Sequence, residues 1–200
     1  GNRWIEATAE YNSYGKLSAQ VDPLGNRSET DYDSTTHQYA VEMRNPLYFD
    51  GDTRQKADAT WNAGCAVPAT STDANGLVTS YTYDGAGRQQ TVTQRDVPVG
   101  QEDGTPVATD LTTTYTYDGS GRQSTVTDAL NHTTTTEYDA LGRVTKTIYD
   151  DGSFVAYAYA GLGRKLWQKT QLPSDATKTQ IDPSKTTYAY DASGNLTDVW

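Results

Sequence analysis

Two hundred residues allow one ordinary domain or a short array of repeats, and only 34% of them are apolar, thin for a core of that size. Fifteen Tyr, 4 Trp and 32 Thr nevertheless argue against disorder, since disordered segments lack the aromatic and β-branched residues that half-buried strands favour. A formal charge of −10, with 16 scattered basic residues, argues against nucleic acid and anionic membranes, because phosphate binding needs clustered Lys and Arg.

Taken in chain order, the predicted elements are copies of one unit, Tyr-Asp-x-x-Gly-Arg. Tyr11-Asn12 with Gly15-Lys16 is a loose first copy, Tyr32-Asp33 keeps the dipeptide without the glycine, and Trp61-Asn62 fills the slot in a degenerate third. Full copies follow at Tyr83-Asp84 with Gly87-Arg88, Tyr117-Asp118 with Gly121-Arg122, and Tyr138-Asp139 with Gly142-Arg143. Tyr159 with Gly163-Arg164, and Tyr190-Asp191 with Gly194, close the series. The steps between the eight aromatic positions are 21, 29, 22, 34, 21, 21 and 31 residues.

A base period of 21 emerges, with insertions at 43–54, 96–108 and 172–185. These hold Pro46, Pro98, Pro106, Pro173 and Pro183, which suit loops and not central strands, so they read as extended hairpin tips or excursions at one edge. Residues 1–200 are expected to form one continuous array. Both ends read as cut boundaries, Trp200 falling where a strand should still be running, so a longer parent chain is expected.

Each unit parses as two strands and two turns. Thr112 to Tyr117 alternates with period two, the mark of a strand with one buried face. Asp118-Gly119-Ser120-Gly121 has the form of a type I turn closed by a bulge, with Asp accepting backbone amides and the last Gly left-handed. Arg122 to Asp128 runs back, Ala129-Leu130-Asn131 turns again, and Thr133 to Tyr138 resumes. The predicted fold is all-β, an antiparallel meander of hairpins. Tyr81/Tyr83, Tyr115/Tyr117, Tyr157/Tyr159 and Tyr188/Tyr190 each share a face, so successive hairpins are expected to stack tyrosines into a ladder. Such a ladder serves packing; the sharper alternative is a sugar-binding platform.

Residues that carry chemistry are sparse. Cys65 stands alone, so neither a disulfide framework nor a thiolate metal cluster is available. His37 and His132, with one cysteine, match no familiar zinc spacing. The 26 acids lie mostly at turn starts, where Asp has a structural job, and no catalytic pair stands out. No phosphate loop or nucleophile elbow occurs. Asp50-Gly51-Asp52 lacks the further ligands of a calcium loop. Lys16, Arg88, Arg122, Arg143 and Arg164 form a regular series after the turn glycine, read as pairing with Asp or turn carbonyls rather than as a stripe gripping a partner. No enzyme activity, cofactor or metal is expected. No stretch approaches the ~20 apolar residues of a membrane span, and no signal peptide opens the chain.

A Tyr-Asp-x-x-Gly-Arg motif at this period resembles the YD repeat of the RHS family, which includes bacterial RHS proteins, the B and C components of Tc toxins and, more distantly, animal teneurins. The likeness runs from about Tyr11 to Trp200. Tyr32 to His37, Trp61-Asn62 and Thr72 to Gly76 are also similar to a region of the Tc B component.

The resemblance implies a hollow shell of spiralling β-sheet that, in bacterial members, encloses a variable C-terminal toxin. Some end in an aspartyl autoprotease, but Asp22-Pro23 and Asp182-Pro183 lie outside any such motif. The chain is thus expected to be a section of non-catalytic shell wall in a secreted or surface-delivered bacterial protein. Its implied partners are the remaining repeats of the parent and the toxin cargo. The alternative is a surface module for carbohydrate or cell adhesion, with Trp4, Trp61, Trp167 and Trp200 the residues to test. Open sheet edges also predict self-association of an isolated piece.

Overall fold

Period-two alternation of Thr with Tyr or Val becomes strand throughout. A computed structural model describes residues 6–62, 64–100, 104–172 and 184–200. The chain divides into two units, Gly1–Thr112 and Thr113–Trp200. The first carries β1 (Thr8–Tyr11), β2 (Leu17–Val21), β3 (Arg27–Tyr32), β4 (Ala40–Arg44), α1 (Pro46–Phe49), β5 (Lys56–Asn62), β6 (Val67–Thr72), β7 (Val78–Tyr83) and β8 (Gln89–Gly100). β9 (Pro106–Tyr117) runs from the first unit into the second. The second continues with β10 (Gln123–Thr127), β11 (Thr133–Tyr138), β12 (Val144–Ile148), β13 (Phe154–Tyr159), β14 (Lys165–Gln171), β15 (Ser184–Tyr190) and β16 (Leu196–Val199).

Within each unit the strand order is the chain order and the pairing is antiparallel. This is the hairpin meander that the alternation predicts. A bulge or register shift marks each repeat hairpin among the described residues, at Tyr11, Tyr32, Trp61, Tyr83, Tyr138, Tyr159 and Tyr190, and opposite Tyr117 between Gln123 and Thr125. A bulge adds one residue to one strand and re-aims its side chain, so the repeat aromatic is turned at the strand end.

Among the described residues only Ala19, at 4% exposure, and Thr93, at 9%, are buried, and no large side chain is fully enclosed. A stable sheet ordinarily buries one face against a second layer. Here the side chains are mostly half-buried along the strands, sheltered by their lateral neighbours.

The insertions resolve in different ways. Met43 and Arg44 still belong to β4, and the excursion after them is the single helical turn α1, not a plain hairpin tip. Asn45 caps it by accepting the Leu47 N–H at 2.9 Å, and Pro46 takes the first turn, where its missing N–H costs nothing. The 96–108 insertion largely lengthens β8 and β9. Pro106 opens β9, and Pro98 lies inside β8 rather than in a loop, beyond Asp96, whose φ of 52° interrupts the regular run. Of 172–185, residues 173–183, with Pro173 and Pro183, lie outside the described residues, as does Trp4.

Candidate functional site

The repeat turns are the most regular constellation in the molecule. At Asp84, Oδ1 accepts the N–H groups of Ala86 and Arg88, both at 2.9 Å, while Oδ2 accepts Arg88 Nε at 2.7 Å. Asp118 does the same with Ser120 and Arg122 (2.8 and 2.9 Å) and Arg122 Nε at 2.8 Å. Asp139 takes Leu141, Arg143 and Arg143 Nε at 2.9, 3.0 and 2.6 Å. Asp191 takes the Asn195 N–H at 2.8 Å and its side-chain amide at 2.9 Å. The turn closes on a glycine with φ between 77° and 90° (Gly87, Gly121, Gly142, Gly163, Gly194), a conformation costly for residues with a Cβ.

These donors set the carboxyl electrostatics. The Arg122 backbone N–H, and then its guanidinium, hold Asp118 below the usual carboxylate range against an opposing desolvation effect. At Asp84 the Arg88 guanidinium acts first and its backbone N–H second.

Two further contacts join one hairpin to the next. The repeat aromatic donates to a backbone carbonyl of the preceding hairpin: Tyr32 to Leu17 at 3.0 Å, Tyr83 to Pro68 at 2.9 Å, Tyr138 to Gln123 at 2.8 Å and Tyr190 to Lys165 at 2.8 Å. Trp61 uses its indole N–H on Ala40 at 2.7 Å, so it serves as the aromatic of its copy. Each of these acceptors lies opposite the aromatic of the copy before, as Leu17 lies opposite Tyr11.

The turn arginine reaches forward. Arg122 sits 4.9 Å from the Tyr138 ring centroid and donates Nη1 to the Asp139 carbonyl at 2.8 Å. Arg143 sits 4.8 Å from Tyr159 and donates to Ala160 at 2.9 Å, while Arg164 lies 5.3 Å from Tyr190. In these copies a guanidinium covers the repeat tyrosine. A planar cation over a π face is favourable in itself, and its remaining N–H groups stay free to bond the turn. Tyr117 ends β9.

Some participants were not singled out from the sequence. Asp22, Asp73 and Asp128 build the same amide cap at the opposite ends of the strands, each Oδ1 accepting from the residues two and four ahead at 2.8 to 2.9 Å. The Asp-x-x-Gly or Asp-x-x-Asn spacing was the available signal, with Asn131 taking the left-handed place at φ 66°. His132 Nδ1 pairs with Asp128 at 3.1 Å. His37, at φ 56°, occupies the left-handed position in the glycine-less Asp33 turn, and its ring stacks on Tyr14 at 3.8 Å.

A second unforeseen feature is a charged face on β1 to β5. The registers align Glu10, Ala19, Glu29, Arg44 and Lys56 in one row and Asp31, Glu42 and Asp58 in the next. Acids directly opposite one another repel. Arg44, only 17% exposed, offsets that repulsion by pairing with Glu29, Asp31 and Glu42, while Lys56 bridges Glu42 and Asp58.

Asp52 is taken up by Arg54 at 2.9 and 3.0 Å, which lowers its carboxyl to about 2. Among the described residues no group of three His, Cys, Asp or Glu could hold a metal ion, and no helix is long and apolar enough to cross a membrane.

Comparison with known proteins agrees with this geometry. Residues 68–96 and 117–153 match the RHS Repeat family. The crystal structure of TcdB2-TccC3-TEV is similar at TM-score 0.52 and 15% identity, over 96% of this chain and 11% of that one. That of TcdB2-TccC3 without its hypervariable C-terminal region is similar at TM-score 0.53 and 14% identity, again over 96% and 11%. The chain thus spans about a tenth of the length of these structures. No curated protein matches.

Proposed function

We propose that this chain, which matches the RHS Repeat family at residues 68–96 and 117–153, is a non-catalytic section of wall in a larger secreted or surface-delivered bacterial protein, helping to enclose a C-terminal toxin. The observation that carries the reading is the sheet's construction. Within each unit neighbouring hairpins are tied by ladder bonds, several of them also by aromatic-to-carbonyl bonds, and those of Arg122 and Arg143 by forward-reaching arginines, yet no large side chain is fully enclosed among the described residues. Such a wall gains cohesion within its own plane and leaves both faces for other parts of the parent. Asp84, Asp118 and Asp139 are engaged in capping turns, and the strand acids Glu29, Asp31, Glu42 and Asp58 in pairing with Arg44 and Lys56.

In this reading residues 1–200 are one continuous array, and the turn residues Tyr83, Asp84, Gly87 and Arg88, with their counterparts, are structural. The fold likeness to TcdB2-TccC3, a protein with a hypervariable C-terminal region, supports a wall role beside a variable cargo.

The test uses the full-length parent. Mass spectrometry is expected to find its C-terminal part cleaved, co-purifying with the wall and protected from added protease. A C-terminus that is digested freely overturns enclosure and leaves a surface scaffold.

A further inference from the structure

One repeat lacks the acid that its neighbours use. Turn 160–164 keeps the shared backbone, with Ala160 N–H donating to Arg164 O at 2.7 Å, Gly163 N–H donating to Ala160 O at 2.9 Å, and Gly163 at φ 82°. In the copies at Asp84, Asp118 and Asp139 three donors converge on one carboxylate: the amides two and four residues ahead, and the arginine Nε. Here the chain has alanine, so the corresponding donors, Leu162 N–H, Arg164 N–H and Arg164 Nε, meet no such group.

Arg164 Nε is buried and has no hydrogen-bond partner among the described residues. An unpaired buried donor is costly, yet the arginine is held in place. Its guanidinium lies 5.3 Å from the Tyr190 ring centroid, and its Nη1 is 3.2 Å from where a Cβ on Gly194 would stand. Leu162, in the same turn, is 83% exposed, so the turn itself lies at the surface.

We propose that turn 160–164 is a carboxylate-binding notch, taking either a free monocarboxylate or an Asp or Glu side chain from another chain. One oxygen of the ligand bridges the Leu162 and Arg164 amides and the other accepts Arg164 Nε, the pattern that Asp139 makes from within its own turn. The planar two-oxygen arrangement selects a carboxylate over a spherical halide. The inference stands on this turn alone and does not depend on the wall reading.

The test is nuclear magnetic resonance on the 200-residue chain, titrated in parallel with formate, with aspartate capped at both backbone ends, and with sodium chloride. Formate or capped aspartate is expected to give saturable shifts at the Leu162 and Arg164 amides and at Arg164 Nε–H, beyond any change in chloride. Tighter binding of capped aspartate assigns the notch to a protein acid, and tighter binding of formate to a free carboxylate. Ala160→Asp fills the notch from within and Arg164→Lys removes Nε, so both are expected to abolish the response. Shifts that never saturate, or that persist unchanged in Ala160→Asp, overturn the proposal.

Discussion

The strand face between Glu10 and Asp58 and the turn series between Asp118 and Asn195 solve one problem in opposite ways. Both bring carboxylates and guanidinium groups together without a deep core. On the strand face the acids repel one another across neighbouring strands, and Arg44 and Lys56 hold the arrangement together. In the turns at Asp118 and Asp139 the acid satisfies backbone amides of its own loop, and the arginine is a second partner that also reaches the next hairpin. The first arrangement depends on side chains meeting across strands; the second is written into each local segment. Local capping therefore tolerates a missing member, as Ala160 shows by keeping the turn backbone intact, whereas the charged face concentrates its dependence on few cations.

The sharpest way to break this contrast is Arg44→Ala. It leaves Glu29, Asp31 and Glu42 facing one another without their shared cation, and we expect a loss of about 2–3 kcal/mol in urea unfolding. Hydrogen exchange should place the loss in 27–58. An effect no larger than that of a turn substitution would erase the distinction.

Asp118→Ala is expected to cost less, confined to 113–143, with Asp118→Asn milder because the amide oxygen still caps, as Asn12 does for Tyr14 and Lys16. The same carboxyl gives a pH test. Its affinity for protons is lowered by folding, so its contribution is complete above the usual carboxylate range, about pH 4, and disappears as pH falls through the lower folded value. Wild type should therefore lose stability relative to Asp118→Ala on acidification, and the two should converge in strong acid. A constant gap across the titration would mean that the carboxylate charge is irrelevant.

The smallest effect is expected from Tyr190→Phe. It removes one hydroxyl donor to the Lys165 carbonyl while keeping the ring beside Arg164, a loss of about 1 kcal/mol by denaturant titration. A much larger loss would mean that the hydroxyl, and not the arginine-covered ring, carries the link between hairpins.

The meander and the turn chemistry were legible because their causes are local. Alternation in Thr112 to Tyr117 sets a strand, and Asp118 with Gly121 sets a turn whose hydrogen bonds close within five residues. Even the degenerate copy at Trp61 could be placed from its spacing, although its indole bond to Ala40, 21 residues back, could not be read from the sequence. The helical turn at Pro46–Phe49 was missed because four residues are too few to display a helical period.

By itself the sequence determined where the repeat units turn and which Asp and Gly close turns such as Asp118 to Gly121, because those bonds form within a few residues. Only the tertiary structure decided what each repeat does to its neighbour. The guanidinium over the next tyrosine, the hydroxyl on the preceding carbonyl and the row from Glu10 to Lys56 all depend on strand register. A shift of one residue turns every side chain to the other face, and register is settled by bulges and pairing acting together. Arg164 Nε, without a hydrogen-bond partner among the described residues, belongs to the same level: alanine at 160 is ordinary in a sequence, and gains meaning only beside a fixed guanidinium.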